Sequence, residues 1–393
     1  MKTIFSHANV VDVLAGKILP DQRVLVEDGL IQAIGPDLDM AGAEVVDLGG
    51  RYLSPGFFNC HTHLTCPFIA SPAEMKRSHV YFTLYSLENL ATYIKTGVTF
   101  VRDVGDMDFI TVDIRDAIRS GLIKMAPDMV TTGRPICMTG GSTWNIFGIQ
   151  ADGEDECRKT ARLIIRSKVD WLKLMATGGT ATLGNRCAAE QLTEGELRAA
   201  VEEAHKAGIK VSCHAQGLEG AMNAINAGVD CMEHGFILDD TAVQMMVERG
   251  MWLVPTLMAS TSILIHKDLC TEPEFLRKAE LNSANMFDSF KRAYDAGVKC
   301  ALGTDCGSIL CSHDNTAMEM VLMVERCGLT PAEALKIGTI NSAELCDVAE
   351  SLGSVTVGKK AHFAVLTDDP LKDIHATTHC VMTIKNGEVL WQA

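Results

Sequence analysis

His61 and His63 stand one residue apart at the end of the apolar run Phe57-Phe58-Asn59-Cys60. In extended backbone, side chains two apart share a face, so both imidazoles are available to one metal ion while Thr62 points away. Taken alone the pair is equally consistent with solvated or core histidines. Four later positions continue it. Lys173 sits inside the apolar stretch Trp171-Leu172-Lys173-Leu174, where a free ammonium is poorly solvated. His214 ends Val211-Ser212-Cys213, His234 ends Cys231-Met232-Glu233, and Asp305 ends Ala301-Leu302-Gly303-Thr304. Singly, a strand-end histidine is often structural, and an aspartate after Gly-Thr is often a turn former or helix cap. Four histidines, a lysine and an aspartate, all on strand ends, imply a metal site. Imidazole with carboxylate points to zinc first and to other divalent transition metals after it.

The elements that must position these groups are legible from periodicity and turns. Residues 1–56 carry short strand signals, with Asp28-Gly29 between two apolar runs as a hairpin turn. Asn386-Gly387 repeats that grammar near the other end, so both termini are expected to build one small sheet domain. Between them, candidate strands end near Cys60, Asp103, Thr132, Leu174, His214, His234, Pro255 and Asp305. Helical patterns intervene at Tyr81 to Lys95, Asp155 to Ser167, Glu194 to Lys206, Thr241 to Arg249 and Glu272 to Asp295. Eight strands alternating with helices predict an α/β fold of parallel βα units, either a TIM (β/α)8 barrel or a doubly wound open sheet. Ligands that end several different strands yet meet at one point favour the barrel. The expected division is 1–56 and 352–393 as the two parts of a β-sandwich domain, with 57–351 as the barrel.

Composition narrows the function classes. Of 393 residues, 47% are hydrophobic and 22% charged, as in ordinary globular chains. The formal charge of -15 and the absence of any Lys/Arg block argue against nucleic acid and against anionic membranes. No apolar run reaches spanning length and the start lacks a signal-peptide pattern, so a cytoplasmic protein is expected. Fourteen cysteines without a Cys-x-x-Cys pair read as reduced thiols. The partners expected are a small-molecule substrate and further copies of the chain.

The sequence resembles the amidohydrolase superfamily, most nearly its binuclear branch of imidazolonepropionase-like enzymes and Xaa-Pro or Xaa-Arg/Lys dipeptidases. The resemblance rests on Pro55-Gly56, His61-Thr62-His63, Thr99-Phe100-Val101-Arg102-Asp103, Lys173 before Ala176-Thr177-Gly178-Gly179, His214-Ala215, Glu233-His234-Gly235 and Gly303-Thr304-Asp305. It implies a TIM barrel with a composite β-sandwich and a metal-bridging hydroxide as nucleophile. His61, His63 and Asp305 would hold the more buried of two zinc ions, and His214 and His234 the more exposed one. Lys173 would bridge them as a carbamate formed with carbon dioxide. Asp305, Lys173 and His234 are the catalytic residues so implied, with Asp305 as general base and acid.

That resemblance points to hydrolysis of an amide or peptide C–N bond, with a dipeptide or N-acyl amino acid as leading substrate. Arg134 and Arg186 lie in loops where either would receive a carboxylate or simply face solvent. Ser142 and Gln216 replace the histidine and tyrosine common among the dipeptidases, and Gly217 replaces the glutamate usual in deaminases. The alternatives are a cyclic amide (imidazolone-like) hydrolase, a phosphate or carboxylate ester hydrolase, and a catalytically silent oligomeric scaffold. Cys60, Cys213 and Cys306 are expected to turn toward the helices as small packing residues. His313 is placed either at the mouth of the site or at a helix entry.

Overall fold

Turn chemistry sets the outer sheet of this computed structural model, which describes residues 2–66 and 77–393. From the start of the chain come β1 (Lys2–Asp12), β2 (Lys17–Glu27), β3 (Leu30–Gly35), β4 (Glu44–Asp47) and β5 (Tyr52–Pro55). Three parallel strands follow: β6 (Phe57–Thr62), β7 (Val98–Asp103) and β8 (Asp128–Thr131). A second parallel sheet contains β9 (Ile136–Cys137), β10 (Ile149–Gln150), β11 (Trp171–Met175), β12 (Lys210–Ala215), β13 (Cys231–His234), β14 (Trp252–Val254) and β15 (Lys299–Cys300). The chain then returns to the first sheet as β16 (Phe363–Leu366), β17 (Cys380–Lys385) and β18 (Glu388–Gln392).

The outer sheet runs β18-β17-β16-β5-β1-β2-β3, with β4 beside β1. Its joint between the two termini is the antiparallel pair β5 and β16. Two hairpins at Asp28-Gly29 (φ 51° and 80°) and Asn386-Gly387 (φ 51° and 78°) have left-handed backbone at both central residues. That geometry matches the twist of the flanking strands. Phe5, Val24, Leu53, Phe363 and Ile384, drawn from both ends of the chain, pack in one apolar cluster.

In the parallel sheets, alternation assigns each side chain to one of two faces. Leu172 and Leu174 of β11 pack with Ala161 and Ile164 of the helix Glu154–Arg166. Trp171, on the opposite face with Lys173, packs with Phe58, Phe100, Cys231 and Val254. The two sheets are stitched at both ends. Asp170 N donates to Thr131 O (2.9 Å), and on the other side Cys60 N donates to Leu302 O (2.7 Å) and Asp305 N to His61 O (2.9 Å). Among the described residues no helix is long and apolar enough to cross a membrane.

Three local expectations are corrected. The last strand stops at Cys300, and residues 301–305 run irregularly because their hydrogen bonds are divided between β14 and β6. The predicted helix Glu272 to Asp295 is two helices, Pro273–Ser283 and Met286–Asp295, broken at a turn in which Asn285 N donates to Asn282 O (3.1 Å). Cys60 lies on the face of Phe58 and Trp171, because the register of β6 shifts between Asn59 and Thr62. Cys213 and Cys306 do pack in the helix-facing cluster.

Candidate metal centre

The end of β6 delivers His61 and His63 to the irregular turn that carries Asp305. His61 Nε2 lies 3.4 Å and His63 Nε2 3.2 Å from Asp305 Oδ1. One donor atom from each of the three lies within 4.8 Å of the others, a spacing that fits a shared cation. Thr62 turns away, its hydroxyl accepting from Tyr93 on the helix His79–Lys95 (2.6 Å). Asp305 has φ 62° and His234 φ 72°, left-handed backbone that costs each residue about 1–3 kcal/mol and that only the surrounding structure maintains. Gly307 follows because a Cβ there would sit 2.1 Å from His63 O.

His214, at the end of β12, and His234, at the end of β13, complete the group. Their ring centroids are 4.4 Å apart, and His234 is 4.9 Å from His61. Lys173 reaches the same cavity from β11. Its ammonium nitrogen is buried with no hydrogen-bond partner, an orphaned polar atom where a ligand is called for. Burial lowers the Lys173 pKa. Burial, with the Lys173 charge, pushes His214 down to about 3, and burial with the neighbouring imidazoles holds His234 well below its usual value. Both are therefore neutral donors at neutral pH. Asp305 is held well below the usual carboxylate range: burial opposes ionisation, but the adjoining His61 and His63 imidazoles prevail.

The partners of the imidazoles decide which nitrogen each one offers. His61 Nδ1 meets Glu233 Oε2 (2.7 Å) and His63 Nδ1 meets Gly105 O (2.9 Å), so Nε2 of each is left for the centre. His234 Nδ1 bonds Thr256 Oγ1 (2.7 Å), whereas His214 donates from Nε2 to Gly178 O (2.9 Å) and offers Nδ1. Glu233 is in turn paired with Arg102, whose Nη2 is 2.7 Å from Oε1 and whose guanidinium lies over Trp171 at 4.6 Å. Burial would raise the Glu233 pKa, yet Arg102 and Lys173 bring it to about 2.

Arg102, Glu233 and Thr256 received no role from the sequence. The first two stood inside recognised motifs, which was the available signal. Ser142 and Thr143, which follow Gly140-Gly141, and Gly179 and Thr180 line the cavity together with Gln216. Arg134 instead holds the backbone of Phe147 (Nε to O, 2.8 Å), Arg186 is exposed, and neither lines the cavity. His313 is buried behind the site, edge-on to Tyr93.

Known proteins are similar to this chain in sequence or in structure. Ochratoxinase from Aspergillus niger is 26% identical, with 94% of this chain and 83% of that protein covered. Imidazolonepropionase from a Geobacillus species is 25% identical over 95% of this chain and 91% of the other. A solved Xaa-Pro dipeptidase with methionine in its active site superposes with a TM-score of 0.91 at 27% identity, each chain covered in full. Residues 52–390, from the strand that joins the outer sheet through all six converging side chains to β18, match the model of the Amidohydrolase family, and the chain belongs to that family.

Proposed function

We propose that the chain is a metal-dependent hydrolase of an amide or peptide C–N bond in a small molecule. The observation that carries this reading is the meeting of His61, His63 and Asp305 beside a buried, unpartnered Lys173. We further read the two stitched parallel sheets as a TIM (β/α)8 barrel over residues 57–351. Residues 1–56 and 352–393 then form the β-sandwich domain. All fourteen cysteines are free thiols, which supports a reducing, cytoplasmic setting.

The donor set fits zinc. His61, His63 and Asp305 would hold one ion and His214 and His234 a second, both borderline ligands suited to it. Lys173, its pKa lowered by burial, would in its neutral form be a nucleophile for carbon dioxide. Its nitrogen would bond the carbon and lose a proton, giving a two-oxygen anionic bridge in place of a cation. When bound, the metal supplies Lewis acidity, lowering the pKa of water from ~16 towards ~7 and polarising a carbonyl.

The chain's own residues supply the rest. Asp305 takes the proton of the attacking water and returns it to the leaving nitrogen, so that amide and water become a carboxylate and an ammonium. Phe147, stacked on the His63 ring at 5.1 Å, limits water at that side of the centre. The dipeptidase and ochratoxinase relatives support an amide of dipeptide or N-acyl amino acid size.

The test is turnover of a panel of small amides by zinc-reconstituted protein and by Asp305→Asn. Loss of general acid–base chemistry, together with a weakened hold on the metal, is expected to lower kcat by at least about 10²–10⁴ in the variant while its far-ultraviolet circular dichroism is retained. Undiminished turnover by Asp305→Asn would remove that residue's role.

A further inference from the structure

Six polar groups lie at the floor of the cavity, but its walls are of a different kind. Val104, Ile146, Phe147, Met175, Ile263 and Ile309 line it from several separate elements. The remaining polar lining among the described residues is uncharged: Ser142, Thr143, Thr180, Gln216 and Ser308. Among the described residues no arginine lines the cavity, and no lysine besides Lys173.

Two described cations beside the cavity loops, Arg134 and Lys278, are already committed. Arg134 spends its fork on Phe147 O (2.8 Å), Gly148 O (3.2 Å) and Asp108 Oδ1 (3.0 Å). Lys278, buried behind the 179–185 loop, donates to Thr182 O (2.6 Å) and pairs with Glu274 (2.8 Å). A substrate carboxylate entering this space would shed its hydration without meeting a counter-charge on the walls, and Asp305 would repel it. An alkyl or aryl group would gain by leaving water, and Phe147 offers an aromatic surface to stack on.

Resting on the reading of the site as an amide hydrolase, we infer that its substrate is an amide flanked by uncharged, apolar alkyl or aryl groups, selected against a free carboxylate beside the scissile bond. Neutral hydrogen-bonding groups from the loops after β9 and β11 orient the amide, and the apolar walls set affinity. This departs from the dipeptide and N-acyl amino acid expectation, since both of those carry a carboxylate, and keeps only their size.

A matched pair tests it: N-benzoyl-phenethylamine and N-benzoyl-phenylalanine share the amide and both rings and differ only in the carboxylate. Binding of each to the full chain is measured by calorimetry without added metal, so that no metal ion draws the carboxylate, and turnover is measured separately with zinc. The uncharged member is expected to bind at least about tenfold more tightly. Equal or tighter binding of the carboxylated member, or binding of neither, overturns the inference. Tighter binding of the uncharged member with hydrolysis of neither supports the cavity's selectivity and tells against the hydrolytic reading alone.

Discussion

An imidazole presents one lone pair, and whatever holds its other nitrogen chooses which. Here two different devices do that work. Glu233 fixes His61 as part of a buried ion pair with Arg102, whereas Thr256 fixes His234 with a neutral hydroxyl. The two devices predict different costs. Glu233→Gln leaves the Arg102 guanidinium buried without its counter-charge and is expected to lose about 3–5 kcal/mol of stability. Thr256→Ala removes one neutral hydrogen bond, at about 1 kcal/mol. Both are expected to weaken zinc binding by about 10–100-fold, with Thr256→Ser restoring it in the second case. Denaturant titration and competitive zinc titration check the pair, and equal stability losses in the two variants would contradict the assignment. His61, His63 and Asp305 were legible because residue type and strand-end position mark a ligand. Glu233 was not assigned, because its partner His61 lies 172 positions away and only folding brings them together.

At the scale of elements, the outer sheet is fastened to the parallel strands by charge as well as by apolar contact. Lys385 of β17, almost fully buried, reaches Asp128 Oδ1 at the start of β8 (2.8 Å) and Ala126 O (2.9 Å). Burial alone would raise the Asp128 pKa, but Lys385, His362 and Lys360 together bring it below its usual value of 3.8. A carboxylate whose pKa is lower in the folded state stabilises the fold above the unfolded pKa, and that contribution is lost as pH falls through the folded value. Asp128→Asn is therefore expected to cost roughly 2 kcal/mol at pH 7, with the gap from wild type closing as the pH drops below about 4. Urea unfolding of both proteins across that range measures it, and a gap independent of pH would show that the charge is irrelevant. Hairpins at Asp28-Gly29 and Asn386-Gly387 were readable because their turns are local. Residues 301–305 were misread as a strand because their conformation follows from hydrogen bonds to β6, some 240 positions earlier in the chain.

For the whole molecule, the candidate ligands lie on a seam. His61 and His63 come from the first strand of the parallel system and Asp305 from the segment after its last, joined by Cys60 N to Leu302 O (2.7 Å) and His63 N to Cys306 O (2.8 Å). A cation held by these three side chains would cross-link the two ends of that system, and anything that binds the folded state alone stabilises it by mass action. Zinc at a hundredfold excess over its Kd is expected to add about 2.7 kcal/mol, read as a rise in Tm or in denaturant midpoint that chelation reverses. The clamp also makes a positional prediction. His61→Ala and Asp305→Asn, on opposite sides of the seam, should each abolish most of the shift, whereas His205→Ala, on a helix whose imidazole bonds Asp230 (2.8 Å), should leave it intact. Hydrogen exchange at the amides of Cys60, His63 and Asp305 should slow on zinc addition, because opening the seam would then require release of the ion. A zinc shift of full size in both seam variants, or one unaccompanied by protection at those amides, would show that the ion binds elsewhere and that the ends of the parallel system are held by hydrogen bonds alone.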